Sequence, residues 1–288
     1  MNEVKNLPKQ DATLAILGGG FLGGFVAAKA KQRYETIYAC VAQDKPRPNL
    51  SQHGVQIRAG DIFESRAKFL PATERDVFDL IFMIPPSAIP DHEQTFSELV
   101  SSLADSACRR ALLISSTGVY AVPDGAVVSA ETPSDAKSGR AAKLLRIENQ
   151  WLSGGKNFGV LRLAGIYGPG RVVGAKALSE GTSLGGSPDA WLNLIHAADA
   201  AELSLRCLDG SARPIELGAD GHPVKRGEYY QFVANLIHAS PADFAGTTKR
   251  NTNSKRCDPS STFERLDFVP MFPNYTDGVR ACLDASAK

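Results

Sequence analysis

Thr13-Leu14-Ala15-Ile16-Leu17-Gly18-Gly19-Gly20-Phe21-Leu22-Gly23 is the stretch from which the fold can be read. Thr13–Leu17 is a short, almost continuous apolar run, the pattern of a strand buried on both faces. Three glycines follow, and then a helical pattern that continues to about Arg33. Gly18, Gly20 and Gly23 stand as Gly-x-Gly-x-x-Gly. At that spacing the first glycine permits a tight turn and the second a close approach of backbone to a pyrophosphate. The third permits close packing of helix on strand. The N–H groups and partial positive charge at the helix start then face the phosphates. A glycine cluster alone is a common turn. Its position after a strand and before a helix is the context a dinucleotide site requires.

Outward from this turn, strands and helices alternate. Thr36–Val41, Val55–Arg58, Phe78–Ile84, Ala111–Ser115 and Phe158–Leu163 read as strands, the third of these ended by Pro85-Pro86. His92–Ala107, Gly139–Leu152 and Ala197–Leu208 read as helices. Such alternation predicts an α/β fold, a Rossmann-type doubly wound parallel sheet with a smaller C-terminal substrate lobe. The dinucleotide-binding domain is expected over residues 11–165, with 190–208 returning to it. The lobe is expected over 166–189 and 209–288, where glycine and proline become frequent and periodicity weakens.

Composition narrows the function. The chain has 288 residues, 32 basic and 31 acidic, and a formal net charge of +1. That balance offers no electrostatic footprint for nucleic acid or an anionic membrane. No apolar run approaches the ~18 residues of a membrane span, and the polar N-terminus lacks a signal-peptide core. A cytoplasmic protein is expected, with a small-molecule substrate and with homodimerisation left open. Five cysteines without a Cys-x-x-Cys pair predict buried thiols, not a disulfide framework. No metal site is expected, since His53 and His92 lack neighbours at ligand spacing, and no Gly-x-Ser-x-Gly elbow suggests a serine hydrolase.

The strand after the glycine turn ends near Asp44, Lys45 and Arg47. An acidic residue there binds ribose hydroxyls and favours NAD; a basic one accepts a 2′-phosphate and favours NADP. Both kinds are present, so the cofactor is NAD or NADP.

Four further segments carry a family resemblance. Gly60-Asp61-Ile62 follows the third strand. Ser115-Ser116-Thr117-Gly118-Val119-Tyr120 follows the fifth, and Arg162-Leu163-Ala164-Gly165-Ile166-Tyr167-Gly168-Pro169-Gly170 belongs to the sixth. Asn193-Leu194-Ile195-His196-Ala197-Ala198-Asp199-Ala200-Ala201 comes last. In this order and spacing, from about residue 12 to about residue 205, the chain resembles the extended short-chain dehydrogenase/reductase family, of the NAD-dependent epimerase/dehydratase kind. Arg226-Gly227-Glu228-Tyr229-Tyr230 and Ser254-Lys255-Arg256 are similar to an atypical bacterial branch of it.

The resemblance implies that Gly18, Gly20, Phe21, Leu22, Gly23, Asp44, Lys45, Asp61, Ile62 and Pro85 hold the cofactor, with Asp61 accepting from the adenine amino group. Asp61 is equally a helix N-cap, and the two roles are compatible. It also implies a Tyr-x-x-x-Lys pair on the helix after the fifth strand, tyrosine for proton transfer and lysine one turn on. That pair is missing. Aligned on Glu148, the two positions hold Arg140 and Leu144, and none of the seven tyrosines has a lysine four residues later.

Two readings follow. One is an NAD(P)-dependent oxidoreductase or epimerase/dehydratase-like enzyme acting on a polar metabolite, a sugar or nucleotide-sugar among them. Tyr120 or Tyr167 would then be a substitute acid/base, Ser116 or Thr117 would hold the substrate oxygen, and Arg140 or Lys143 would hold ribose or phosphate. The other is a redox-inactive dinucleotide-binding regulator or sensor. Tyr120 and Tyr167 also fit plain aromatic packing with satisfied hydroxyls. His196, next to a helix start, reads as structural before catalytic, and Asp199 fits the first turn of that helix.

Overall fold

The computed structural model describes residues 10–45, 47–65, 69, 77–89, 93–122, 125–134, 136–210, 212–244 and 254–286. Its strands are β1 (Gln10–Leu17), β2 (Tyr34–Val41), β3 (Gln56–Ala59), β4 (Phe78–Phe82), β5 (Cys108–Ser116), β6 (Ala126–Val128), β7 (Phe158–Leu163), β8 (Gly165–Tyr167), β9 (Trp191–Leu192), β10 (Leu194–His196), β11 (Ile215–Gly218), β12 (Val224–Lys225) and β13 (Lys255–Cys257). The helices are α1 (Phe21–Ala30), α2 (Pro48–Ser51), α3 (Glu93–Ala104), α4 (Gly139–Leu152), α5 (Ala175–Ser179), α6 (Ala197–Arg206), α7 (Arg226–Leu236), α8 (Ser260–Arg265) and α9 (Tyr275–Ser286).

Seven strands form the central sheet in the order β11-β7-β5-β4-β1-β2-β3. β1 pairs in parallel with β2 and β4, as do β2 with β3 and β4 with β5. On the far side, Val160 N–H donates to Pro214 O and Ala164 N–H to Gly218 O, so β7 and β11 ascend together. The strand order reverses between β1 and β4, the switch point at which such sheets bind ligands. The expected α/β fold is therefore present. β11 lies in the main sheet, although residues 209–288 were expected in the lobe. His92, the expected first residue of the helix before β5, lies outside the described residues.

By density of contacts the chain divides into two compact units, Met1–Ser115 with Arg146–Leu161 and Ser204–Pro214, and Ser116–Leu145 with Arg162–Leu203 and Ile215–Lys288. The first unit is built on apolar strands: Leu14, Ile16, Leu80, Ile81 and Phe82 are fully buried. Helix α3 brings Phe96 against Phe82, with ring centres 5.7 Å apart, and Trp151 joins both at 5.4 and 6.3 Å. The indole N–H of Trp151 donates to Gly159 O at 3.0 Å, so this large ring buries no unmet donor. Asp79, fully buried on β4, accepts from Tyr34 Oη at 2.8 Å and from Arg109 Nε at 3.0 Å. A buried carboxylate persists only with such partners.

The second unit has two apolar clusters. One gathers Tyr167, Leu194, Tyr229, Tyr230, Val233, Val279 and Cys282 around α7 and α9. The other gathers Val119, Tyr120, Leu144, Leu217, Ala219 and Cys257. Strand β13 pairs in parallel with β6. Asn193 holds it from a second side: its Nδ2 donates to Lys255 O and its Oδ1 accepts from Cys257 N–H. None of the five cysteines forms a disulfide, and all five are buried. No described helix is long and apolar enough to cross a membrane.

Candidate functional site

The glycine turn of the first unit separates positions that the fold needs from a position that it leaves open. Gly18 has φ +108°, and a Cβ there would stand 2.9 Å from the carbonyl carbon and oxygen of Met83, at the end of β4. A Cβ on Gly23 would come within 3.1 Å of Gly18 O, and one on Gly24 within 2.6 Å of Asn49 Nδ2 on α2. These three are glycine because backbone or side chain already fills the space. Gly20 differs: a Cβ there would meet nothing within 4 Å. Its φ of −79° is open to any residue. Crowding by neighbouring atoms thus does not account for glycine at position 20, which fits a ligand passing close to the main chain.

Gly20 is also the N-cap of α1. No side chain caps that end, and no acidic residue lies in its first turn, so Phe21, Leu22 and Gly23 open a helix whose dipole is not answered by a local carboxylate. Gly18 N–H and Gly19 N–H both donate to Cys40 O, which fixes the turn against β2.

Around this turn stand the other expected cofactor residues. Asp44 and Lys45 are exposed after β2. Arg47 is half-buried, and its Nε meets no hydrogen-bond acceptor among the described residues. An orphaned buried guanidinium nitrogen is costly, and a 2′-phosphate is a ligand that would satisfy it. Asp61 is exposed, and its Oδ1 accepts from Phe63 N–H at 2.8 Å, closing a turn at which no described helix begins; Ile62 is buried. Pro85 is exposed and extended at the end of β4.

The second unit holds the residues expected to do chemistry. Ser116 is half-buried, and its Oγ accepts from Gly118 N–H at 3.1 Å. Thr117 is buried and hydrogen-bonds the thiol of Cys257. Tyr120 is 1% exposed; its hydroxyl donates to Ser129 O at 2.8 Å, and Arg162 lies over its ring. Tyr167 is fully buried against Gly278, edge-on to His196, and its hydroxyl has no partner among the described residues. Burial pushes the Tyr167 phenol far above its ordinary range. His196 accepts from Ala198 N–H at Nδ1, and burial pushes its imidazole down to about 4, so it is neutral near pH 7. Asp199 accepts from Met271 N–H and Phe272 N–H, clasping that segment to α6. On α4, Arg140 is exposed, while Leu144 packs in the Tyr120 cluster.

Two groups escaped the sequence reading. Lys255 is 8% exposed, burial pushes its ammonium down, and that ammonium makes no hydrogen bond or ion pair with a described residue. It shares the inner face of β13 with Cys257, and hence the face that meets Thr117. Asp220 is 4% exposed. Burial pushes its carboxyl up to about 7, partly opposed by the His222 N–H that Oδ1 accepts; its Oδ2 has no described partner. Among the described residues no three His, Cys, Asp or Glu side chains gather as for a metal.

No family model matches the chain. Protein YeeZ of Escherichia coli (strain K12) is 28% identical over 208 residues, 69% of this chain and 73% of the relative. A UDP-N-acetylglucosamine 4-epimerase from Methanobrevibacter ruminantium M1, solved with UDP-N-acetylmuramic acid, superposes with a TM-score of 0.77 at 13% identity, over 98% of this chain and all of that one. MoeE5, solved with UDP-glucose and NAD, superposes with a TM-score of 0.76 at 18% identity, over 96% and 98%. The chain thus has the fold of NAD-dependent epimerase/dehydratase structures and related extended short-chain dehydrogenases.

Proposed function

We propose that the protein is an NAD(P)-dependent oxidoreductase or epimerase/dehydratase-like enzyme acting on a polar metabolite, with a nucleotide-sugar as the first class to test. The observation that carries this reading is the open space at Gly20, on a helix start with no side-chain cap and no first-turn acid. The solved relatives that bind UDP-sugars and NAD support the substrate class. A bound dinucleotide supplies the hydride acceptor or donor; all else falls to the chain. The first unit binds it: main-chain N–H groups from Phe21 to Gly23 meet the pyrophosphate, Asp61 meets the adenine, and Lys45 and Arg47 meet a 2′-phosphate.

In the second unit Ser116 or Thr117 holds the substrate oxygen by a hydroxyl. For proton movement, Tyr120 would first have to leave Ser129 O, and Tyr167 is sealed and strongly disfavours the phenolate. Lys255 needs no such exchange. Its depressed ammonium pKa suits an acid/base group, so we assign Lys255 the proton transfer that the missing helix tyrosine leaves vacant.

Dinucleotide-dependent turnover of UDP-sugars and simple ketones tests this reading. Hydride transfer is followed by NAD(P)H absorbance, and product analysis detects epimerisation, which leaves no net cofactor change. Tight dinucleotide binding with no turnover of any of them would favour the regulator, for which the engaged hydroxyl of Tyr120 already speaks.

A further inference from the structure

The first unit has a cavity at the opposite end of the strands from the glycine turn. It has a volume of about 320 Å³ and opens where β5 and β7 begin and where the chain enters β11. Arg110, Lys156 and Arg213 all line it, with the amide side chain of Asn157, and no acidic residue is among its walls. In a chain with 32 basic and 31 acidic residues, three cations around one concavity are a local excess that the whole does not have.

The walls hold Arg110 in place. Arg110 is half-buried, and its Nη1 donates to Leu208 O. Gly210 lies flat under the same guanidinium: at φ +95°, a Cβ there would stand 2.9 Å from Arg110 Cζ. That position therefore admits only glycine while Arg110 points into the cavity. Lys156 is exposed and makes no hydrogen bond or ion pair with a described residue. The nearest acid in the lining loop, Asp209, is 3.4 Å from Arg33. The volume is at the lower end for small-molecule pockets, about 300–1,000 Å³. A guanidinium fork beside point charges matches a phosphate.

We propose that this cavity binds a small phosphorylated metabolite through Arg110, Lys156 and Arg213, at a site separate from the dinucleotide. With eight residues in β1 and nine in β5, the two ends of the strands lie roughly 25 Å apart, so neither ligand would touch the other.

The test uses the full chain with inorganic phosphate and glycerol 3-phosphate as probes, against chloride at equal ionic strength. Melting temperature is read for the parent, for Gly20→Val and for the double variant Lys156→Ala/Arg213→Ala. Both truncated side chains are exposed, so the double variant should fold. At about ten times Kd, a ligand of the folded state should raise the melting temperature by roughly 3 °C. We expect that rise in the parent and in Gly20→Val. In the double variant the affinity should fall at least tenfold, since a charge-assisted contact carries about that much. A rise that disappears in Gly20→Val but survives the double variant would mean that phosphate sits in the glycine turn, and would overturn the proposal. No rise, or one that chloride reproduces, would overturn it too. Gly20→Val answers for the dinucleotide and the double variant for this cavity, so failure of one is distinguishable from failure of the other.

Discussion

Gly18 and Met83 face each other across the switch point of the sheet so closely that no side chain fits on the glycine: an added Cβ would be 2.9 Å from the Met83 carbonyl. Two positions along, Gly20 has free space around the same hypothetical atom. The motif is thus two devices in one, Gly18 and Gly23 closing the fold and Gly20 exposing the main chain.

Gly18→Ala should accordingly be a folding mutation. Both the left-handed backbone and the contact with Met83 oppose it, each costing about 1–3 kcal/mol. We expect a clear loss in the urea midpoint of Gly18→Ala with an unchanged slope. Gly20→Ala should unfold with the parent. Equal midpoints for Gly18→Ala and the parent would refute the crowding at β4.

Cofactor choice rests on the segment after β2. Lys45→Ala/Arg47→Ala should weaken NADP at least tenfold and NAD much less, because a charge-assisted contact contributes about 1.5–3 kcal/mol. Titration calorimetry with both dinucleotides measures it. If both weaken alike, these cations do not discriminate.

Lys255 should show itself without any substrate. In competitive labelling by acetic anhydride, its reactivity should reach half-maximum at a lower pH than that of an ordinary lysine side chain in a short peptide, since burial depresses its ammonium. In an active protein Lys255→Gln should reduce turnover about 10²–10⁴-fold with dinucleotide affinity retained. Tyr120→Phe, which removes a hydroxyl bonded to Ser129 O, should lower stability by about 1 kcal/mol and leave turnover near the parent's. The opposite pattern would return proton transfer to Tyr120.

Asp220 makes stability depend on pH. Its carboxyl is raised from an ordinary 3.8 to about 7 by burial. The folded state thus favours the protonated form. The associated stability is fully present below pH 4 and is lost as pH rises through 7. At about 1.4 kcal/mol per pH unit, the loss would reach about 4 kcal/mol. Asp220→Asn keeps an acceptor for His222 N–H and cannot ionise. It should unfold later than the parent at pH 8 and show a flatter profile between pH 4 and 8. An unaltered profile would exclude Asp220 as the source.

How much of this was legible beforehand depends on the range of the forces involved. Helix α4 and strand β7 have the bounds that periodicity predicts, Gly139–Leu152 and Phe158–Leu163, because local pattern and burial agree there. β5 begins at Cys108, three residues before the expected Ala111. Its first turn of strand carries Arg109 and Arg110, which look like loop until Asp79 is seen to pair with Arg109. β8, β9, β10, β12 and β13 have two or three residues each, too few to show an alternation. Their partners are remote, as with Asn193 holding β13. The glycine turn was readable because its requirements are local. Lys255, the orphaned nitrogen of Arg47 and the basic cavity were not, because each is made by burial among residues far apart in sequence.

Dinucleotide affinity of the parent against Gly20→Val tests the central claim most directly. Titration of each with NADH and NADPH, followed by nicotinamide fluorescence, should give saturable binding to the parent. Gly20→Val, with the parent's circular dichroism and melting temperature, should bind at least a hundredfold more weakly, since the valine side chain would occupy the path of the pyrophosphate. Equal affinity in the folded variant, or a parent that binds neither dinucleotide, would contradict the account.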